Sequence, residues 1–133
     1  MKKTFTITMS ERCFRFKPDA PEPHAPRTPG VYEFVTFNAQ LKPEVLYVGI
    51  AHPDTLYDAL AAHLMGNRRP SKDELFAAAK DVYFDYVARS DAASAEDLRD
   101  IAAAFAAKHK PRLNGTGGPA FTGRFSEVEL IEQ

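Results

Sequence analysis

The hydrophobic positions fall into two rhythms that alternate along the chain. Phe5 and Ile7, set among threonines over residues 4–9, show the period of two that gives a strand one polar face. The stretches Gly30-Val31-Tyr32-Glu33-Phe34-Val35-Thr36-Phe37 and Val45-Leu46-Tyr47-Val48-Gly49-Ile50 are rich in β-branched and aromatic residues. The polar connection between them, with Asn38 and Pro43, predicts an antiparallel hairpin. After Pro53-Asp54 the period lengthens: Leu56, Leu60, His63 and Leu64 recur at helical spacing until Gly66-Asn67, a first helix of about three turns. Ser71-Lys72-Asp73-Glu74 has the Ser-x-x-Glu form of a capping box and predicts a shorter second helix over 71–80. Val82-Tyr83-Phe84-Asp85-Tyr86-Val87 reads as a third strand. Ser94-Ala95-Glu96-Asp97 then opens a long third helix, with Leu98, Ile101, Ala102, Phe105 and Ala106 on one stripe and Lys108-His109-Lys110 before the breaker Pro111. A loop from Asn114 to Gly118 and an edge strand over 126–131 complete the pattern.

From residue 30 the order is β-β-α-α-β-α, one α+β domain over 30–114. Residues 1–29 precede it as a strand without an evident partner and an arm whose prolines, Pro18, Pro21, Pro23, Pro26 and Pro29, favour extended backbone. That arm reads as a spacer, or as a PxxP ligand for another domain. Residues 115–133 follow as loop and edge strand. At 133 residues, 44% hydrophobic and 26% charged, the chain holds one ordinary globular domain. The 17 Lys and Arg nearly cancel the 18 Asp and Glu, so any attraction for nucleic acid must be local. Three basic stretches are candidates: Arg12, Arg15 and Lys17 interleaved with Phe14 and Phe16, a pattern that stacks on bases and contacts phosphates; Arg68, Arg69 and Lys72; and Lys108, Lys110 and Arg112. Each also reads as a solvated face. Cys13 is the only cysteine, which excludes an internal disulfide, and no Cys/His cluster has zinc-ligand spacing. The expectation is a cytoplasmic protein with no metal site and no membrane segment, because no apolar run approaches the ~18 residues of a span.

Gly30-Val31-Tyr32 and Tyr47-Val48-Gly49, on adjacent strands followed by a helix, resemble the paired signature of the GIY-YIG nuclease superfamily. The resemblance takes in His63 on the first helix and Pro111-Arg112-Leu113-Asn114 after the last, and covers roughly residues 29 to 114. It implies a three-stranded antiparallel sheet flanked by helices, and cleavage of nucleic-acid phosphodiesters with Mg²⁺ or Mn²⁺ as cofactor. It also implies that Tyr47 assists as base or nucleophile activator, with Tyr32, His63 and Asn114 in the same catalytic set. A phenol can handle a proton once a metal or nearby cations depress its pKa. Read as residues alone, Tyr32 and Tyr47 are also aromatics packing across a sheet, and His63 a satisfied histidine on an apolar stripe. Asn114 is also a left-handed cap on the turn after Pro111.

Two charged positions of the family's pattern are alanine here. The arginine expected four residues before the histidine is Ala59, and the metal-binding glutamate expected about twelve before the asparagine is Ala102. Arg68 or Arg69, if their loop folds back, and Glu74 or Glu96 are the candidate substitutes. Asp100, two positions from Ala102, points about 200° around the helix. Losing one positioned transition-state charge costs on the order of 10²–10³ in rate, and an arginine on a phosphoryl group is worth about 10³–10⁵. The expectation is therefore a catalytically impaired nuclease fold used for binding DNA or RNA, or as an interaction module. One alternative is an active metal-dependent endonuclease hydrolysing DNA with relocated charges; another is a protein-binding adaptor with no nucleic-acid role.

Overall fold

A computed structural model of the chain describes residues 1–17, 24–114 and 118–133. Among them the elements run β1 (Lys2–Met9), β2 (Phe14–Arg15), β3 (Gly30–Phe37), β4 (Pro43–Ala51), α1 (Leu56–Leu64), α2 (Lys72–Ala78), β5 (Tyr83–Ser90), α3 (Ala95–His109) and β6 (Glu127–Glu132). The helices start where their side chains supply acceptors for orphan amides: Thr55 accepts from the Asp58 amide, Ser94 from the Asp97 amide, and Ser71 and Glu74 close a complete capping box. Gly66, at φ +78°, turns the chain out of α1. The left-handed cap of α3 is Lys110, at φ 48°, not Asn114, because Pro111 stops the helix one residue later.

β3 and β4 form the expected hairpin, with Phe34 opposite Tyr47 and Tyr32 opposite Gly49. The sheet around it is larger than the three strands expected. It has six strands among the described residues, in the order β4-β3-β5-β1-β6, with β2 also on β5. β1 is no appendage: it pairs antiparallel with β5 and parallel with β6, and β2 continues along the same side of β5, Phe14 opposite Phe84. The β5 partners of β1 lie about 80 residues away and its β6 partners 125, beyond the reach of any local pattern. Of the proline arm, Pro18, Pro21 and Pro23 fall outside the described residues. Its second half is docked on α1, where the Thr28 and Pro26 carbonyls accept from the Leu56 and Tyr57 amides and Arg27 lies over the Tyr57 ring.

The sheet separates two hydrophobic clusters. On the α1 and α2 side Tyr32, Phe34, Leu46, Leu56, Ala59, Leu60, Leu75 and Phe84 pack together. On the α3 side Phe5, Ile7, Val31, Val35, Val48, Ile101, Ala102 and Phe105 do the same. No helix among the described residues is long and apolar enough to cross a membrane.

One pair interrupts the α3 side. Glu33 and Asp85 stand directly opposite each other on β3 and β5, and Glu33 Oε2 and Asp85 Oδ1 are buried without a partner. The Cys13 thiol donates to Asp85 Oδ2 at 3.6 Å, and burial with the adjacent carboxylates pushes that thiol up to about 12. Burial raises both carboxyl pKa values, and the Asp85 charge raises that of Glu33 further, so the native state retains a proton that the unfolded chain gives up. Stability carried by that proton is complete below the ordinary carboxylate range of about 4 and is lost as the pH rises through the folded pKa. Glu33→Gln should stabilise the protein above neutral pH by on the order of 1–3 kcal/mol and flatten this limb in urea titrations. An unchanged slope would disprove the assignment.

Candidate functional site

Tyr32, Tyr47 and His63 converge on the α1 side of the hairpin. Their ring centroids are 6.4 Å (Tyr32–Tyr47), 5.6 Å (Tyr47–His63) and 5.6 Å (Tyr32–His63) apart. His63 is fully buried, and its Nδ1 lies 2.8 Å from the Pro70 carbonyl, which can only accept. Nδ1 therefore carries the proton, and Nε2 accepts from the Tyr32 hydroxyl at 2.6 Å. Burial pushes His63 down to about 4 and drives the Tyr32 phenol well above its ordinary value, so both stay neutral across the physiological range. With Tyr32 also fully buried, the pair stands behind the surface and holds the hairpin to α1 and to the turn carrying Pro70.

Protonating His63 would turn Nε2 from acceptor to donor and break this arrangement. A depressed histidine pKa loses stability as the pH falls, from about 6.5 in the unfolded chain to about 4 in the fold, on the order of 3 kcal/mol in all. The sign is opposite to that of the Glu33 limb, so the two separate by variant. His63→Gln should abolish the loss between pH 6.5 and 4 while leaving the alkaline limb; equal acid sensitivity in the variant would sink the assignment.

Tyr47 is the half-buried member of the group. It lines an open cleft of about 360 Å³ with Arg69, Pro70, Glu74, Leu113 and Asn114. Asn114 reaches this place because the turn after α3 is zipped onto the outer edge of β4. The Leu113 amide donates to the Leu46 carbonyl at 3.0 Å, and the Asn114 side chain both accepts from the Val48 amide (2.8 Å) and donates to its carbonyl (2.9 Å). This covers an otherwise open strand edge. Arg69 grips Glu74 with two hydrogen bonds, 3.2 and 2.7 Å, which hold that carboxyl at about 2.

The loop after α1 does fold back, and it is Arg68 that returns to the tyrosines. Its guanidinium lies 5.7 Å from the Tyr32 ring centroid, donates to the Ile50 carbonyl at 2.7 Å and pairs with Asp54 at 3.6 Å. Ala59 and Ala102 are both fully buried, in apolar clusters on opposite faces of the sheet, where a charged side chain would lose its hydration. Asp100 is committed elsewhere, to Thr122 and Arg124. A divalent metal fits this site poorly. Glu74 is the carboxylate lining the cleft, both its oxygens are on Arg69, and among the described residues no group of three His, Cys, Asp or Glu side chains is placed to share an ion.

The basic stretches do not converge on one face. Arg69 and Lys72 lie at the start of α2, and Arg112 reaches Glu44 and the Ala78 carbonyl at its end. Lys108 sits across the sheet on α3, beside Glu132. Lys110 is the exposed cap of α3, and Lys17 is exposed beside β2. Arg12 lies over Phe14, and Arg15 over Tyr83 with Asp81 3.6 Å away. Phe16 is buried in the core and offers no face to a base, whereas Phe14 is half-buried. The Pro70 carbonyl, which sets the His63 tautomer, carries no sequence signal. The leucines flanking His63 on its helical stripe do foretell its burial.

Comparison with family models, curated proteins and solved structures gives no match for this chain.

Proposed function

We propose that the chain is a degenerate relative of the GIY-YIG nucleases that binds nucleic acid at the Tyr47 cleft without cutting it. The observation that carries this reading is a division of labour. Tyr47, Arg69 and Asn114 share an open cleft, while both charge-bearing positions of the resemblance are alanines sealed in the core. The Tyr47 phenol and the guanidinium N–H groups of Arg69 that Glu74 does not occupy are hydrogen-bond donors suited to phosphate oxygens, with Asn114 held beside them by Val48. Catalysis would need a further charge placed on the transition state, and the cleft's carboxylate is spent on Arg69. A second reading, the endonuclease with relocated charges, has one observation in its favour: Arg69 and Glu74 flank Tyr47 in the same cleft.

The test is fluorescence anisotropy with labelled single-stranded, duplex and branched DNA and RNA, beside a cleavage assay on the same panel with Mg²⁺ or Mn²⁺. Binding that weakens with salt and falls about tenfold in Arg69→Ala, with no cleavage, is the expected result. Cleavage that disappears in Tyr47→Phe and Glu74→Gln would establish the second reading instead. Absence of any salt-dependent binding would remove nucleic acid from the account.

A further inference from the structure

We propose that a second cleft, at the break between β1 and β2, holds one nucleotide of a single-stranded nucleic acid, its base stacked on His24 and its phosphate between Arg12 and Arg89. The inference rests on the nucleic-acid reading above and adds to it the strand type and a second point of attachment.

Four features build the cleft. Its volume is about 490 Å³, and its walls include Ser10, Arg12, Phe14, His24, Tyr86 and Arg89. The exposed His24 imidazole lies flat on Phe14, with centroids 4.3 Å apart and planes at 16°, and Phe14 is itself nearly parallel to Tyr86, at 13°. His24 is exposed, and its backbone is pinned because the Tyr86 hydroxyl donates to the His24 carbonyl at 3.1 Å. An aromatic plate held in place before a ligand arrives spares the ordering cost of binding.

The arginines are placed with equal definition. Thr8 pairs with Arg89 and Met9 with Val87, so Ala88 is the extra residue of a β-bulge. Strict alternation from Val87 would send Arg89 to the α3 side. The bulge brings it to the side of Thr8, facing the same cleft as Tyr86. Arg12 is held on the other flank, where the Ser10 hydroxyl donates to its carbonyl at 3.0 Å and the Ser10 amide donates to the Tyr86 carbonyl at 2.7 Å. Among the described residues neither guanidinium has an ion-pair partner, and against them the cleft sets the carboxylate of Glu11. Cation, stacking plate, cation is the arrangement that tracks a phosphate and takes an unpaired base of any sequence. In a duplex each base is already covered on both faces, so the plate selects single strands.

The experiment measures anisotropy of a labelled 12-nucleotide single strand and of its duplex, with the protein and four variants, Arg69→Ala among them. The wild type should prefer the single strand. Arg12→Ala/Arg89→Ala should weaken single-strand binding about tenfold or more and flatten its log–log salt dependence by roughly 0.7 for each phosphate no longer neutralised. His24→Ala should weaken it about tenfold and His24→Phe restore it, since stacking needs a ring and not a charge. All three positions are exposed, so an unchanged melting temperature should accompany each loss. If these variants bind like the wild type while Arg69→Ala loses affinity, the second cleft is overturned and the Tyr47 cleft stands. Equal affinity for single strand and duplex, or displacement of the strand by a phosphopeptide at comparable concentration, also overturns it. A wild type that binds no nucleic acid overturns both.

Discussion

The Asp100→Ala variant should lose about 2–4 kcal/mol of stability. Asp100 lies on α3, yet it is only 1% exposed. Its carboxylate is one of the few buried charges and is fully engaged: the Thr122 amide donates at 2.8 Å, the Thr122 hydroxyl at 2.9 Å and Arg124 at 2.7 Å. Arg124 also bridges to Asp97, so one guanidinium gathers the first two turns of α3 and the segment leading to β6. Burial by itself would raise the Asp100 pKa, but the bonds from Thr122 and Arg124 outweigh it and hold the carboxyl below its usual value. Stability carried by a depressed carboxyl is present above about pH 4 and is lost as the pH falls through the folded value. Truncation leaves Thr122 and Arg124 without their acceptor. Urea unfolding at pH 7 measures the loss, and the double variant with Arg124→Ala should cost distinctly less than the sum of the two single changes. Additive losses, or a loss under about 1 kcal/mol, would show that the network carries little.

Gly49→Ala should destabilise the protein by about 3 kcal/mol, the upper end of what overpacking a core costs. A Cβ at this position would stand 2.4 Å from Tyr32 Cζ and 2.5 Å from its hydroxyl oxygen. Tyr32 cannot step aside: it is fully buried, lies opposite Gly49 across the hairpin, and its hydroxyl is held by His63 at 2.6 Å. The glycine of the second triplet thus exists for the tyrosine of the first. One methyl group would push the ring off His63, break the bond that fixes α1 to the hairpin, and shift Tyr47 in its cleft. The coupling is the decisive measurement. In a Tyr32→Leu background the added methyl should cost less than about 1 kcal/mol, because the ring it strikes is gone. An equal cost in both backgrounds would trace the effect to the strand backbone instead.

Most of the local structure was legible because its causes are local. The hairpin strands, the capping box at Ser71 and Glu74, the Ser94 cap and the stripe of α3 depend on residues within a turn or two of one another, and each lies where the pattern predicts. The burial of Ala102 also follows from its apolar stripe with Leu98, Ile101 and Phe105, whereas that of Ala59 shows only in the packed structure. The candidate site was legible in part. Tyr32, Tyr47 and His63 do meet, and Arg68 does return, as a folded-back loop after α1 requires. That Tyr32 and His63 satisfy each other while Tyr47 faces the cleft depends on side-chain direction and on a carbonyl seven residues after the histidine.

By itself, then, the order of residues determined an α+β chain, its helices and their ends, the hairpin, and the absence of charge at two buried positions. These follow from periodicity, capping and chain stiffness, which act over a few residues. Only the tertiary structure decided that β1 lies inside a six-stranded sheet, that Asn114 closes the edge of β4, and that Arg124 serves Asp100. It alone set the bulge that brings Arg89 round beside His24. Such contacts join residues far apart in the chain, and their energy comes from burial and hydrogen bonds that exist only once the layers have packed.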